Sequence, residues 1–232
     1  MTLGISVPLW LLYTNHYHES QKLLQKPPVS EIVASKTKFC NFIYSNPNCK
    51  QRNDFFHKLS KYKQVDAGGK VFNNLGFQVK NKTDFISQYK FSFAFENTSY
   101  PGYTTEKIFE PMLVQSIPIY WGNPLVGRDF NSNSFVNCHD FRNDEEIIER
   151  IVEIDKHIDK YVEILNEPFF NNNIFPSDIS DEKIVARFQH IFNLLDSPYQ
   201  PISLTWKKHY RKYRKLREDL NNIYTSKLKF RK

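Results

Sequence analysis

Two short runs with strand character constrain this chain more than anything else in it. Residues 91–95 (FSFAF) place aromatic side chains at alternate positions, and residues 117–121 (IPIYW) follow after an intervening 21 residues. Between them lies a polar turn containing Pro101-Gly102. A helical spacing then starts at Thr104 and runs to about Gln115, with Pro111 expected to kink or stop that helix because it lacks a backbone donor. Strand, helix, strand in this order predicts an α/β domain with a mostly parallel sheet. In such sheets ligands bind beyond the carboxyl ends of the strands, beside helix N-termini.

The rest of the chain fits the same alternation. Residues 39–45 (FCNFIYS) read as a buried strand bounded by Asn46-Pro47-Asn48. Apolar residues at 55, 56, 59 and 62 give the helical spacing of a segment from Lys50 to Tyr62. Residues 64–76 read as a loop around Gly68-Gly69, residues 83–89 as a short helix capped by Thr83, and residues 135–141 as another short strand. Asn143 caps a long helix whose first turn carries Asp144, Glu145 and Glu146, with an apolar face from Ile147 to Leu165 that includes Ile158. A further helix is expected over about residues 181–195. Residues 14–38 read as an irregular region, with His16 and His18 as surface side chains rather than metal ligands.

Composition narrows the function classes. The 20 Phe and 13 Tyr favour an ordered globule, and the presence of only 7 Gly means that any phosphate-binding loop is short. The formal charge of +7 is concentrated at one end: residues 207–232 carry eleven Lys/Arg against two Asp/Glu, which leaves −2 for residues 1–206. The body is therefore not expected to bind nucleic acid. Cys40, Cys49 and Cys138 match no zinc spacing and suggest no disulfide framework; free thiols in a reducing compartment are expected. The apolar stretch over residues 4–13 is interrupted by Pro8 and falls short of the roughly 18–20 residues a bilayer span needs. It reads as a buried strand or docking segment, and the chain as soluble or peripheral.

The chemistry concentrates in residues 96–107. Here a strand ends and a helix begins, so free backbone N–H groups and the helix dipole favour an anion. Thr104 and Thr105 can cap that helix and donate to phosphate, Lys107 adds a cation, and Glu106 can accept hydrogen bonds from sugar hydroxyls. This mixture suits a nucleoside diphosphate sugar, which offers an anionic diphosphate and neutral diols. An ordinary charged helix start is the alternative.

Residues 91–124 (FSFAFENTSYPGYTTEKIFEPMLVQSIPIYWGNP) resemble the signature of α1,3-fucosyltransferases, and most closely the bacterial enzymes that decorate lipopolysaccharide with Lewis-type antigens. The likeness extends upstream to Tyr44-Ser45-Asn46-Pro47, Arg52-Asn53, Gly68-Gly69 and Asn74-Leu75-Gly76. It extends downstream to Phe135-Val136-Asn137 and His139-Asp140-Phe141. The resemblance implies the Rossmann-like donor-binding domain of a GT-B glycosyltransferase, with most of the N-terminal acceptor domain absent. Residues 1–38 would be a remnant or linker of that acceptor side, residues 39–200 the GDP-fucose-binding domain, and residues 201–232 a basic amphipathic tail.

The implied reaction is inverting transfer of L-fucose from GDP-fucose to N-acetylglucosamine of a glycan or lipopolysaccharide acceptor. Arg52 and Lys107 would neutralise the diphosphate, Glu106 would bind ribose or lie near the fucose, and Asn97 and Tyr103 would line the donor site. Glu96, beside them, receives no role. No metal or other cofactor is implied. The general base is expected in the acceptor domain, at no position in this chain, so the alternative expectation is a GDP-fucose-binding fragment that needs that domain for catalysis. Residues 206–217 (WKKHYRKYRKLR) place Tyr210, Tyr213 and Leu216 near one helix face. Such a segment can lie on an anionic membrane surface, with a solvated charged helix and, less favoured, a nucleic-acid contact as alternatives; the resemblance implies peripheral membrane attachment, expected on the cytoplasmic side.

Overall fold

The computed structural model describes residues 9–12 and 17–175, together with residues 185, 186, 188, 189, 192 and 193. Residues 1–180 form one compact unit and residues 181–232 a second. In the second unit the described residues are all helical, as expected for residues 181–195, and the rings of Phe188 and Phe192 stack at 6.5 Å. The basic tail lies outside the described residues.

The first unit begins with three short helices, α1 (Leu9–Leu12), α2 (Tyr17–Ser20) and α3 (Val29–Ser35). Then come β1 (Lys38–Phe42), α4 (Lys50–Tyr62), β2 (Val65–Ala67), α5 (Lys82–Ile86) and β3 (Tyr89–Phe95). The remainder is α6 (Glu106–Leu113), β4 (Ile117–Trp121), β5 (Val136–Asn137), α7 (Asp144–Lys156) and α8 (Ile158–Asn166). The five strands form one wholly parallel sheet in the order β2-β1-β3-β4-β5, with Cys40 opposite Phe91 and Phe91 opposite Ile117. From β1 the chain steps outward to β2, then returns to the other side of β1 as β3. The direction of winding therefore reverses between β1 and β3, and a crevice opens at the carboxyl ends of those two strands.

The two faces of β3 differ as the alternation in FSFAF requires. Phe91, Phe93 and Phe95 join Phe42, Phe55, Phe56, Ile147 and Ile151 in one buried cluster, with the Phe42–Phe93 and Phe55–Phe95 ring centroids each 5.2 Å apart. Each such phenyl group stabilises the fold by roughly 1.5–3 kcal/mol relative to an exposed one. Ser92 points to the opposite face, where its hydroxyl meets Asn41 at 2.6 Å and Ser116 at 2.8 Å, so this polar seam under α6 is satisfied. Above it Ile108, Phe109 and Met112 bury the apolar side of α6, and Trp10 of α1 stacks on Phe109.

Several sequence expectations need correction. The segment at residues 9–12 is a docked helix and not a strand. The irregular region contains α2, α3 and a 3-10 turn at Gln21–Leu24. These pieces belong to the same compact unit as the sheet. Two lysines, Lys26 half-buried and Lys36 buried, hold them there. Lys26 donates to the carbonyls of Leu165 and Glu167 at the end of α8. Lys36 donates to those of Ser87 and Val114, after α5 and α6. Both lysines thus serve the carbonyl ends of helices, where a cation is favoured, although burial pushes each pKa down to about 8.

Within the expected loop at residues 64–76, Val65–Ala67 pairs with β1 as an edge strand. The helix expected at 83–89 is Lys82–Ile86, and its cap is Asn81, whose side chain accepts from the Asp84 N–H; Tyr89 already belongs to β3. The strand expected at 135–141 is reduced to β5, because a 3-10 turn at Cys138–Asp140 takes over. The single long helix is two, broken at the extended residue His157, and Ile158 is exposed. Pro111 does bring an early stop: α6 ends at Leu113, and the Pro111 carbonyl accepts from Val114 and Ser116. The three cysteines are free and buried. Among the described residues no helix is long and apolar enough to cross a membrane.

Candidate functional site

The carboxyl ends of β1 and β3 position two adjacent charge clusters. Beyond β1 the chain turns through Tyr44 and Asn46 into α4, whose first turn carries Arg52. The guanidinium of Arg52 is fully buried. It lies 4.0 Å from the centre of the Tyr44 ring, donates from Nη1 to Asn97 Oδ1 at 3.1 Å and from Nη2 to the Asn46 carbonyl, and leaves Nε without a partner. Tyr44 is itself anchored: its hydroxyl donates to the Phe93 carbonyl at 3.1 Å and accepts from the Phe95 N–H at 2.8 Å. Arg52 makes no ion pair among the described residues. A guanidinium buried without a counter-charge is costly.

The second cluster begins one residue before Asn97. Glu96 directly follows β3 on the face covered by α6, and it is fully buried. Its carboxylate accepts from the Thr105 N–H at 2.7 Å, from the Thr105 hydroxyl at 2.8 Å and from Lys107 Nζ at 3.1 Å. Lys107 also donates to Thr105 Oγ1 at 2.8 Å and to Glu106 Oε1 at 3.2 Å. The Thr105 hydroxyl therefore gives its one proton to Glu96 and receives one from Lys107.

Burial raises the pKa of Glu96, against the opposing pull of Lys107 and Thr105. Burial also works to lower Lys107, but Glu96 and Glu106 outweigh it and the pKa is raised, so the amine stays cationic. For Glu106 burial opposes ionisation, and Lys107 with its hydrogen bonds overcomes this, leaving the pKa lowered.

The loop after β4 completes the crest. A Cβ on Gly122 would sit 2.4 Å from Glu96 Cγ, so this backbone closes directly on the carboxylate side chain. Trp121 stacks nearly parallel on His139 at 6.3 Å, and His139 Nε2 lies 3.1 Å from the Gly122 carbonyl oxygen. Beside them a cavity of about 230 Å³ opens near the starts of α4 and α7, lined by Gln51, Trp121, His139, Arg142 and Asp144 among others.

Of the residues named from sequence, Arg52 meets Asn97, and Lys107 meets Glu106. Tyr103 is half-buried at the end of the intervening loop; among the described residues its side chain makes no polar contact with the other four. The Thr105 hydroxyl is not available for phosphate, and that of Thr104 is buried. Thr105 occupies the cap position of α6 without a side-chain cap bond, because its hydroxyl is committed to Glu96. Thr104 Oγ1 accepts from Asn123 Nδ2 at 3.0 Å. Glu96 is the residue that sequence reasoning left without a role. Its signal was present as a carboxylate directly after an otherwise apolar strand, where burial demands a cation nearby.

Residues 33–166 match the family described as glycosyltransferase family 10 (fucosyltransferase), C-terminal. The alpha-(1,3)-fucosyltransferase FucT of Helicobacter pylori is 45% identical over 160 residues, which cover 67% of this chain and 34% of that protein. A crystal structure of an alpha1,3-fucosyltransferase with GDP-fucose aligns with a TM-score of 0.67 at 39% identity, over 80% of this chain and 55% of that one. A second alpha1,3-fucosyltransferase crystal structure aligns with a TM-score of 0.72 at 35% identity, over 83% and 65%. The chain thus spans about a third of the length of the curated relative. With a matching profile over more than half its residues and the parallel sheet to go with it, this chain belongs to glycosyltransferase family 10, the fucosyltransferases.

Proposed function

We propose that the crest beyond β1 and β3 binds GDP-fucose, and that the chain supplies the donor-binding part of an inverting α1,3 transfer of L-fucose to N-acetylglucosamine of a glycan or lipopolysaccharide. The observation that carries this reading is Arg52: a fully buried guanidinium without an ion pair among the described residues, at the point where the winding of the sheet reverses. A diphosphate is the complementary anion, since its oxygens match the guanidinium fork. A phosphate oxygen takes the place of Asn97 Oδ1 on Nη1, and exposed Asn97 turns to the donor. Lys107 supplies the second cation, Glu106 a carboxylate for the hydroxyls of ribose or fucose, and Tyr103 a wall. Two cations then stabilise the charge that develops on departing GDP, with no metal ion required.

Calorimetric titration with GDP-fucose tests the donor site. Lys107→Ala is expected to weaken binding about tenfold or more, the cost of one charge-assisted contact. Equal affinity in both proteins, or a folded wild type that does not bind, overturns the reading. Transfer also needs a base and an acceptor site, to which no described residue is assigned. The second reading is therefore that this chain alone holds GDP-fucose without turnover. Release of GDP that depends on added acceptor supports the first reading, and binding without release supports the second.

We further propose peripheral attachment through residues 206–232 to the cytoplasmic face of an anionic membrane. The support is compositional: seven of the eleven residues after Trp206 are Lys or Arg, interleaved with Tyr210, Tyr213 and Leu216. Deleting 206–232 is expected to abolish co-sedimentation with anionic vesicles and leave GDP-fucose binding intact. Unchanged sedimentation sinks the proposal.

A further inference from the structure

We propose that Glu96 is a positioning residue of the donor site, which holds the Lys107 ammonium at the phosphate through a bonded chain of carboxylate, Thr105 hydroxyl and ammonium. The proposal rests on the reading that this crest binds a nucleoside diphosphate.

Three features of the structure point the same way. Glu96 is fully buried directly after the central strand β3, and its backbone N–H donates to the Trp121 carbonyl of β4 at 2.7 Å, so the sheet anchors its position. It accepts both the N–H and the hydroxyl of Thr105, the residue that starts α6, and so fixes the helix start on which Glu106 and Lys107 follow. Gly122 has no room for a Cβ against the Glu96 side chain, so the loop after β4 closes the niche from the other side. A lysine has four rotatable side-chain bonds, and freezing them costs rotamer entropy. Pre-setting the ammonium spares the ligand that cost, which is how a negative charge beside an anion site can favour the anion.

That last point separates positioning from simple charge balance. If Glu96 acted only as a counter-charge, neutralising it would free Lys107 and tighten binding of an anion. If it positions Lys107, Glu96→Gln weakens binding although Lys107 remains. The glutamine oxygen can still accept from Thr105, but its amide N–H₂ group then faces the ammonium, donor against donor, and expels it.

The experiment is a double-mutant cycle with GDP as the probe, read by calorimetry on wild type, Lys107→Ala, Glu96→Gln and the double variant. The expected result is a loss of about tenfold in Glu96→Gln, comparable to losing the lysine contact, and no further loss when it is added to Lys107→Ala. Tighter or unchanged binding in Glu96→Gln overturns the proposal. So do losses that multiply in the double variant, because Glu96 would then act through the fold and not through Lys107.

Should Glu96→Gln fail to fold, Thr105→Val carries the same test. It preserves side-chain shape, removes the shared hydroxyl, and is expected to weaken GDP in the wild-type background and not in Lys107→Ala; equal effects in both backgrounds overturn the proposal. Wild type that does not bind GDP defeats the reading of the site itself, whereas a Lys107 effect without a Glu96 effect defeats only the role given to Glu96.

Discussion

Trp10→Ala is expected to destabilise the protein by about 3–5 kcal/mol, the range for deleting a buried tryptophan side chain, and so to lower the melting temperature by roughly 6–20 °C. The indole is fully buried although it sits in a four-residue helix near the start of the chain. It touches rings from separate parts of the fold: Phe109 on α6 at 5.5 Å, Phe130 before β5 at 5.2 Å, and Phe170 and Phe175 after α8 at 6.2 and 6.3 Å. No single neighbour can move into the space without abandoning another ring, so the cavity persists. Trp10→Phe keeps part of the stacking and is expected to recover about half of the loss. Circular dichroism melts of the three proteins check this, and a shift under 2 °C for Trp10→Ala counts against it. The same variant is expected to weaken GDP, because Phe109 lies two residues after Lys107 on α6, and a loosened helix no longer presents the ammonium at a fixed point.

The parts of this fold that were legible in the sequence are those whose pattern is local. Aromatic alternation in residues 91–95 and the apolar run of β4 mark strands buried on both sides, the spacing of Phe55, Phe56 and Leu59 marks one buried helix face, and each became the element expected. What was missed depends on distant partners. Val65–Ala67 is too short to show a period, and it is a strand only because β1 offers an edge. The helices over residues 17–35 were masked by Pro27-Pro28, yet Pro28 stands at the cap of α3, where a missing N–H costs nothing. The break at His157 was invisible because Ile158 continues the apolar spacing that Ile154 and Tyr161 share.

At the site, Arg52, Asn97, Glu106 and Lys107 could be named because they stand in one ordered motif. The place of Glu96 could not, since it is settled by Thr105 and Lys107 nine and eleven residues on and by the close approach of Gly122.

Gly69→Ala is expected to cost about 2–3 kcal/mol or more, the scale of a strained insertion into a packed site, and to weaken GDP at least tenfold through a residue it does not touch. A Cβ at this position would lie 2.4 Å from the Tyr44 carbonyl oxygen and 2.6 Å from the Tyr44 nitrogen. Both are backbone atoms, so no rotamer change relieves the contact. Nor can Tyr44 retreat cheaply: its carbonyl accepts from Val71 at 3.0 Å, and its hydroxyl is bonded to β3 at both Phe93 and Phe95. Something in that set must yield. Whichever does, the Tyr44 ring shifts, and the Arg52 guanidinium 4.0 Å from its centre shifts with it. Stability and ligand affinity should therefore fall together, in contrast to Trp206-to-Lys232 deletion, which should spare both. A Gly69→Ala protein that melts within 2 °C of wild type would show that the loop after β2 can move away from β1. One that melts lower but keeps full GDP affinity would show that Arg52 is held by Asn46 and Asn97 alone, and not by the ring beneath it.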